Sequence, residues 1–270
     1  MDRPTPTRPR RWLRRLAVAA VVVAVACGVL TQVGTRVSTA VGAEGVGDGT
    51  FPVVELAGLG SRGAGFARLT AELESRGVVV LDFDPDRTGT QALTYEPEAG
   101  IDVPTLAVRT VAPAVRAALV RAGLDPRTQR VDVVAHSMGG LLMRYLVEHP
   151  VDDWATRVDD LVMVGTPNRG SRVVGWETQA GPFAALGDDM APGSDFLEAL
   201  GTREPSGQTY TTVGGDPWFL RWYPGGFDDQ VPSRSPFLTG AANNTRPHLH
   251  GRLLPSDTVV DLVVRTLAAR

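Results

Sequence analysis

The sequence has very little cysteine and histidine and no lysine. Among its 270 residues there are one Cys and four His, and all 27 basic residues are Arg. Because Cys27 is the single cysteine, an intrachain disulfide framework is excluded. The chain is long enough for one good-sized α/β domain, and its stability must therefore come from a packed core.

Basic residues are scarce beyond the N-terminal segment. Residues 1–43 contain seven Arg and one acidic residue, whereas residues 44–270 contain 20 Arg and 29 acidic residues, a net charge of −9. A domain with this excess of negative charge repels a phosphate backbone. The composition therefore argues against a nucleic-acid partner.

The N-terminal segment has the pattern of an export signal. Six Arg in the first 15 residues precede an apolar run over residues 16–30, an order typical of a secretory signal or a signal anchor. The run is shorter than the roughly 20 residues of a membrane span. We assign residues 1–43 to a signal peptide or an N-terminal membrane anchor plus linker, with membrane association through residues 16–33. Residues 44–270 form one folded domain, expected to be secreted or anchored outside the cytoplasm.

Short apolar runs alternate with amphipathic segments along the folded domain. Such runs are typical of strands buried on both faces, and the amphipathic segments of covering helices. The pattern therefore predicts an α/β fold with a mostly parallel central sheet flanked by helices on both faces. The predicted strands are residues 52–56, 78–83, 131–134, 160–164 and 209–213. The predicted helices are residues 63–76, 105–122 (kinked at Pro113), the segment ending at Glu148, 194–200 (capped by Ser194) and 256–268.

Residues 131–140 carry the most informative motif. A β-branched run is followed by a turn with Ser137 at its apex, and apolar residues then recur at helical spacing. This strand, turn and helix is the context of a nucleophile elbow, in which a strained backbone holds the serine hydroxyl away from the sheet. The positions two residues before and after Ser137 must be small, and they are Ala135 and Gly139.

A serine hydroxyl needs a base to take its proton. In a chain with this elbow the acid and then the histidine are expected downstream of the serine. His136 adjoins the serine and His149 ends the following helix, which leaves His248 and His250 as candidate bases. We favour His250, because two leucines after it can anchor the loop before the last helix.

The acid that orients the histidine has three candidates, Asp216, Asp228 and Asp229. Asp216 follows a predicted strand directly. Asp228 stands three residues before Val231-Pro232, in the Asp-x-x-Val-Pro pattern of many hydrolases, and we favour it. The negative charge of a tetrahedral intermediate needs backbone N–H donors. We assign these donors to Met138, directly after the serine, and to Leu59, in the Gly-rich loop after the first strand.

Several of these segments together resemble small secreted bacterial lipases of the α/β-hydrolase superfamily. The resemblance is carried by the strand and Gly-rich loop of residues 52–60, the elbow of 131–140, the Gly-Thr-Pro turn of 165–171 and the loop of 250–256. Ala57 departs from the histidine that the family has before the loop glycine. The resemblance implies a carboxylic-ester hydrolase, a triacylglycerol lipase or esterase, that needs no cofactor, and we assign no metal-binding residue. It implies a small-molecule ester or lipid as partner, and we expect the chain to be a monomer. An acyltransferase or thioesterase acting on envelope lipids is the alternative.

Aromatic residues are concentrated in two segments outside these motifs. One is the connection of residues 171–205, and the other is the cluster of Trp218, Phe219, Trp222, Tyr223 and Phe227. Aromatic side chains line ligand sites and also fill cores. The two segments are therefore expected to line an acyl pocket, to form a lid, or to close the edge of the core.

Overall fold

A computed structural model describes residues 51–61, 63–83, 91–174, 181–204 and 207–269. Its centre is a sheet of five parallel strands that lie in chain order. The strands are β1 (Val53–Leu56), β2 (Val131–His136), β3 (Val158–Val164), β4 (Thr209–Gly215) and β5 (Ala242–Arg246). Because all five run the same way, their carboxyl ends meet at one edge of the sheet.

Helices cover both faces of this sheet. They are α1 (Ala67–Ser75), α2 (Val103–Arg121), α3 (Met138–Glu148), α4 (Ala184–Asp189), α5 (Asp195–Leu200) and α6 (Asp257–Leu267). One buried cluster joins Val54 and Leu56 of β1 to α2 and α3, while a second joins Val53 to α1 and α6. This sorting follows from the alternation of side chains along a strand. The predicted fold class is confirmed.

Two helices begin at the serines expected from the sequence. Ser194 Oγ accepts a hydrogen bond from Leu197 N at 3.2 Å, and Ser256 Oγ accepts one from Val259 N at 3.4 Å. Each bond satisfies an N–H group that the first turn of a helix leaves free.

Helix α2 contains an irregular turn next to Pro113. Residues Ala107–Val111 form a π-helical turn directly before it, since proline cannot donate the regular helical bond and its ring crowds the preceding turn. Within the described residues, α2 is the helix whose length and composition would allow it to cross a membrane. Its apolar face, with Leu106, Val111 and Val115, is buried in the core. The predicted N-terminal signal or anchor lies outside the described residues.

Three elements differ from the sequence-based expectation. Residues 78–83 make one bridge, from Val80 to Val53, rather than a full strand. β5 was not predicted, because its Ala-Asn-Asn-Thr-Arg sequence lies at the edge of the sheet and is largely exposed, so it lacks an apolar pattern. Helix α4 lies in the connection of residues 171–205, where the sequence analysis predicted only the helix of residues 194–200.

Candidate active site

Ser137 stands at a sharp turn between β2 and α3. Its backbone has φ 54° and ψ −130°, and only Asp229 shares a positive φ among the described residues other than glycine. A non-glycine residue in such a conformation is strained and persists only where the surrounding structure holds it. The strain is the one expected of a nucleophile elbow.

The elbow is packed too tightly for side chains at its glycines. A Cβ atom on Gly139 would lie 2.6 Å from the carbonyl oxygen of Ala57 and 2.8 Å from that of Leu56. Ala135, on the other side of the serine, is completely buried. The close approach of α3 to the end of β1 therefore accounts for the glycine at position 139.

The structure brings Ser137, His250 and Asp228 together at the carboxyl edge of the sheet. Ser137 Oγ lies 3.0 Å from His250 Nε2, and His250 Nδ1 lies 3.0 Å from Asp228 Oδ2. Both His250 and Asp228 are buried. The three side chains thus form a continuous hydrogen-bonded chain, in the arrangement in which an acid orients an imidazole against a serine.

Backbone contacts fix the acid and the histidine relative to each other. His250 N donates to the carbonyl oxygen of Asp228 at 2.8 Å, and Asp229 Oδ1 lies 3.2 Å from the same nitrogen. Asp228 Oδ1 accepts from the N–H groups of Gln230 at 3.0 Å and Val231 at 2.6 Å. With His250, these amides direct three N–H donors at the two oxygens of Asp228.

The alternative residues point elsewhere. Asp216 Oδ2 is bound to Arg221 Nε at 3.2 Å, on the surface. His248 Nε2 contacts the hydroxyl of Thr258 at 3.3 Å, and Asp229 meets the backbone of His250 rather than its ring. Asp228 and His250, the two favoured residues, are therefore the acid and histidine that adjoin Ser137.

Three glycines at strand ends make room for this chain, and the sequence analysis gave none of them this role. A Cβ on Gly58 would lie 2.8 Å from Ser137 Cβ, and one on Gly165 would lie 2.9 Å from His250 Cε1. A Cβ on Gly215 would lie 2.5 Å from Asp228 Cβ. The sequence could have suggested this role, because each of these glycines comes directly or shortly after the end of a predicted strand.

Met138 and Leu59, the two residues assigned as N–H donors, adjoin Ser137 in different ways. Met138 is the first residue of α3, where backbone N–H groups have no partner within the helix. Leu59 follows Gly58, whose close approach to Ser137 places this loop against the serine. Two backbone N–H groups aimed at an oxygen next to Ser137 would stabilise a negative charge there, and their assignment to Leu59 and Met138 stays a prediction.

His136 is the fourth polar residue of the site. Its Nε2 lies 3.3 Å from the carbonyl oxygen of His250, and the centroids of the two rings are 4.7 Å apart. Burial, together with the neighbouring His250, lowers the pKa of His136 to about 3. Its ring is therefore neutral near neutral pH, and it packs against the ring of His250.

One acidic cluster in the described residues has the spacing of metal ligands. The carboxylates of Asp132, Asp159 and Asp160 lie within 4.8 Å of one another. Arg130 forms an ion pair with Asp159, and Asp132 Oδ1 accepts from Asp160 N at 3.3 Å. The cluster lies at the amino ends of β2 and β3, at the edge of the sheet opposite Ser137.

Solved structures with the same architecture include known enzymes. The mature lipase BlEst2 of Bacillus licheniformis matches 81% of this chain and 92% of its own at 18% identity, with a TM-score of 0.58. Phospholipase PlaB of Legionella pneumophila matches 82% of this chain at 16% identity, with a TM-score of 0.58, and the match spans 58% of the PlaB chain.

The chain has the α/β-hydrolase fold. By sequence, residues 89–178 match a family described as a domain of unknown function, DUF7379. A comparison with curated protein sequences finds no match. The α/β-hydrolase fold accounts for the order of Ser137, Asp228 and His250 along the chain, because the elbow follows a central strand and the other two residues follow later strands.

Proposed function

We propose that this protein is a serine carboxylic-ester hydrolase, a lipase or esterase. The observation that carries the proposal is the hydrogen-bonded chain of Ser137, His250 and Asp228 at a strained elbow. The likeness to a lipase and a phospholipase supports the reaction class. The substrate would then be a small-molecule ester or lipid, bound by a chain that acts as a monomer.

In the proposed reaction Ser137 Oγ attacks the acyl carbonyl while His250 Nε2 takes its proton. The amides of Leu59 and Met138 stabilise the oxyanion. His250 returns the proton to the departing alcohol, which leaves Ser137 acylated. Water, deprotonated by His250, then attacks the acyl-enzyme, and His250 returns this proton to Ser137 Oγ as the bond from Ser137 to the acyl carbon breaks and the carboxylic acid leaves. Asp228 holds the imidazole in the required tautomer throughout.

The test is hydrolysis of p-nitrophenyl butyrate and p-nitrophenyl palmitate by the full chain, with Ser137→Ala as control. We expect turnover that Ser137→Ala abolishes while its circular dichroism stays unchanged. Turnover of butyrate alone indicates an esterase, and turnover of both esters indicates a lipase. Activity that survives in Ser137→Ala, or a folded chain that neither hydrolyses these esters nor reacts with a fluorophosphonate, contradicts the proposal.

We also propose that the chain is exported and works outside the cytoplasm. The support is the order of residues 1–30, in which arginines precede an apolar run. Fractionation of cells that produce the full chain tests this. Recovery in the medium or the membrane fraction supports export, whereas recovery in the cytoplasm contradicts it.

A further inference from the structure

The exposed apolar side chains of this protein are unevenly distributed. Seven large hydrophobic residues of the described chain are exposed, and four of them are valines at separate positions (79, 108, 120 and 151). The other three are Trp218, Phe219 and Trp222, with exposed fractions of 75%, 48% and 78%. Because aromatic side chains bury the most apolar area per residue, such a cluster in water indicates an interaction surface. These side chains do not close the edge of the core.

These three residues belong to one protruding loop, residues 216–227, which we call the aromatic turn. Its ends meet, since a Cβ on Gly215 would lie 2.5 Å from Asp228 Cβ and one on Gly226 would lie 2.7 Å from Asp216 Oδ1. Between them the chain folds through successive tight turns, and Trp218 and Phe219 pack edge to face at 5.7 Å. The two ends of the loop therefore lie close together. Trp218, Phe219 and Trp222 form its exposed part, which we call the aromatic tip.

The aromatic turn lies at the same edge of the sheet as Ser137. It follows β4 directly, just as Ser137 follows β2, and the two strands run parallel with only β3 between them. Adjacent strands are about 4.8 Å apart, so the base of the turn is roughly 10 Å from the elbow. Its other end leads into Asp228. A surface held by the aromatic tip would face the carboxyl edge that carries the triad.

The charge of the aromatic turn and of the domain indicates which kind of surface the turn can bind. Within residues 216–227 the charged side chains are Asp216 and Arg221, which pair with each other at 3.2 Å, so the turn has no net charge. Residues 44–270 have a net charge of −9, which opposes attraction to an anionic surface. Exposed tryptophans on an uncharged loop suit a lipid–water interface, where an indole places its ring among apolar groups and its N–H near water.

We propose that the aromatic turn inserts Trp218, Phe219 and Trp222 into the surface of an uncharged or zwitterionic lipid aggregate. Seated in this way, the domain holds its carboxyl edge against the lipid. Insertion is a binding property of the turn and does not need turnover. Its use, to deliver lipid esters to Ser137, rests on the proposed function.

The test uses the full chain carrying Ser137→Ala, so that no lipid is hydrolysed. Tryptophan emission is recorded with phosphatidylcholine vesicles that contain either ordinary or brominated acyl chains. The chain has five Trp, so the emission of the turn is taken as the difference between this protein and its Trp218→Phe/Trp222→Phe derivative. We expect the brominated chains to quench most of that difference emission, because bromine quenches only indoles that enter the bilayer.

The control is Val120→Ser/Val151→Ser, which removes exposed apolar groups outside the turn and should leave the quenching unchanged. Difference emission that is the same with both kinds of vesicle overturns the proposal. So does quenching that requires anionic lipid, because charge would then be responsible for binding. The proposal is also overturned if the unmodified chain is an oligomer and the variant Trp218→Ser/Phe219→Ser/Trp222→Ser is a monomer. The turn would then join copies of the chain. Ester hydrolysis does not enter any of these readouts.

Discussion

Two acidic residues in the described part of the chain, Asp228 and Glu55, are completely buried, and their surroundings are opposite. Asp228 sits at the carboxyl edge of the sheet, where the His250 ring and two backbone N–H groups face its oxygens. Glu55 lies within β1, where Thr70 contacts one oxygen at 2.6 Å and the other, Oε1, has no hydrogen-bond partner. Burial raises the pKa of Glu55 to about 8. The comparison shows that the donors around a buried acid, rather than its burial, determine what it can do.

The contacts of Thr70 support a protonated Glu55. The Thr70 hydroxyl lies 2.6 Å from Glu55 Oε2 and 3.0 Å from the carbonyl oxygen of Phe66. A hydroxyl has a single hydrogen to donate, so it cannot serve both oxygens at once. When Glu55 is protonated, its O–H donates to Thr70 and Thr70 donates to Phe66. Glu55 therefore acts as a neutral polar group that joins β1 to α1, whereas Asp228 acts as an acceptor for an imidazole.

Replacing Asp228 should have the largest effect. Asp228→Asn preserves the shape of the side chain but gives it an N–H₂ group, which favours the wrong tautomer of His250. We expect kcat for an ester to fall by about 10³- to 10⁴-fold, with the fold retained. Steady-state hydrolysis of p-nitrophenyl butyrate measures it, and a loss of less than about tenfold would show that Asp228 does not orient the base.

Adding a methyl group at Gly165 should move the His250 ring away from its hydrogen-bond partners without changing any charge. A Cβ there would lie 2.9 Å from His250 Cε1, and the residue has φ +66°. Gly165→Ala therefore displaces the ring from Ser137 and Asp228. We expect a loss of activity on the order of 100-fold. Gly251→Ala is the matched control, since a Cβ at Gly251 meets nothing within 4 Å, and equal losses in both variants would refute the steric explanation.

Glu55→Gln should change stability rather than catalysis. The pKa of Glu55 is about 8 in the fold against an ordinary 4.5, so between these values the folded state keeps a proton that the unfolded chain has released. The contribution of Glu55 to the free energy of unfolding then decreases as pH rises, by at most about 1.4 kcal/mol per pH unit. Glutamine does not titrate and removes this slope.

Urea unfolding of Glu55→Gln and of the unmodified protein at pH 5.5, 6.5 and 7.5 measures this difference. We expect the variant to gain stability relative to the unmodified protein as pH rises. Parallel pH profiles would show that Glu55 does not retain its proton in the fold. Hydrolysis of p-nitrophenyl butyrate at pH 7.5 is the control, and it should stay unchanged.

The smallest effect is expected at Asp216, which makes the comparison with Asp228 specific. Asp216 was an alternative candidate for the acid, but its side chain is bound to Arg221 at the surface. Asp216→Asn should alter the hydrolysis of a soluble ester by less than about twofold, because exposed ion pairs contribute little. A loss as large as that of Asp228→Asn would reverse the assignment of the acid.

Much of the fold follows from patterns that a few neighbouring residues create. The β-branched run and small residues around Ser137 predict the elbow, and Ser194 and Ser256 mark where α5 and α6 begin. β5 could not be predicted in this way. Its polar residues carry no apolar period, and its strand geometry comes from backbone bonds to β4.

The sequence by itself determined the sharp turn at Ser137, the alternation of strands and helices, and a short set of candidate acids and bases. These depend on local sterics and on the period of apolar residues, which act over a few positions. Only the tertiary structure decided that Asp228, rather than Asp216 or Asp229, faces His250, and that Gly165 makes room for its ring. It also decided that the aromatic turn is exposed. The physical reason is that His250 meets residues 22 and 113 positions away, through loops whose paths depend on the packing of the whole sheet.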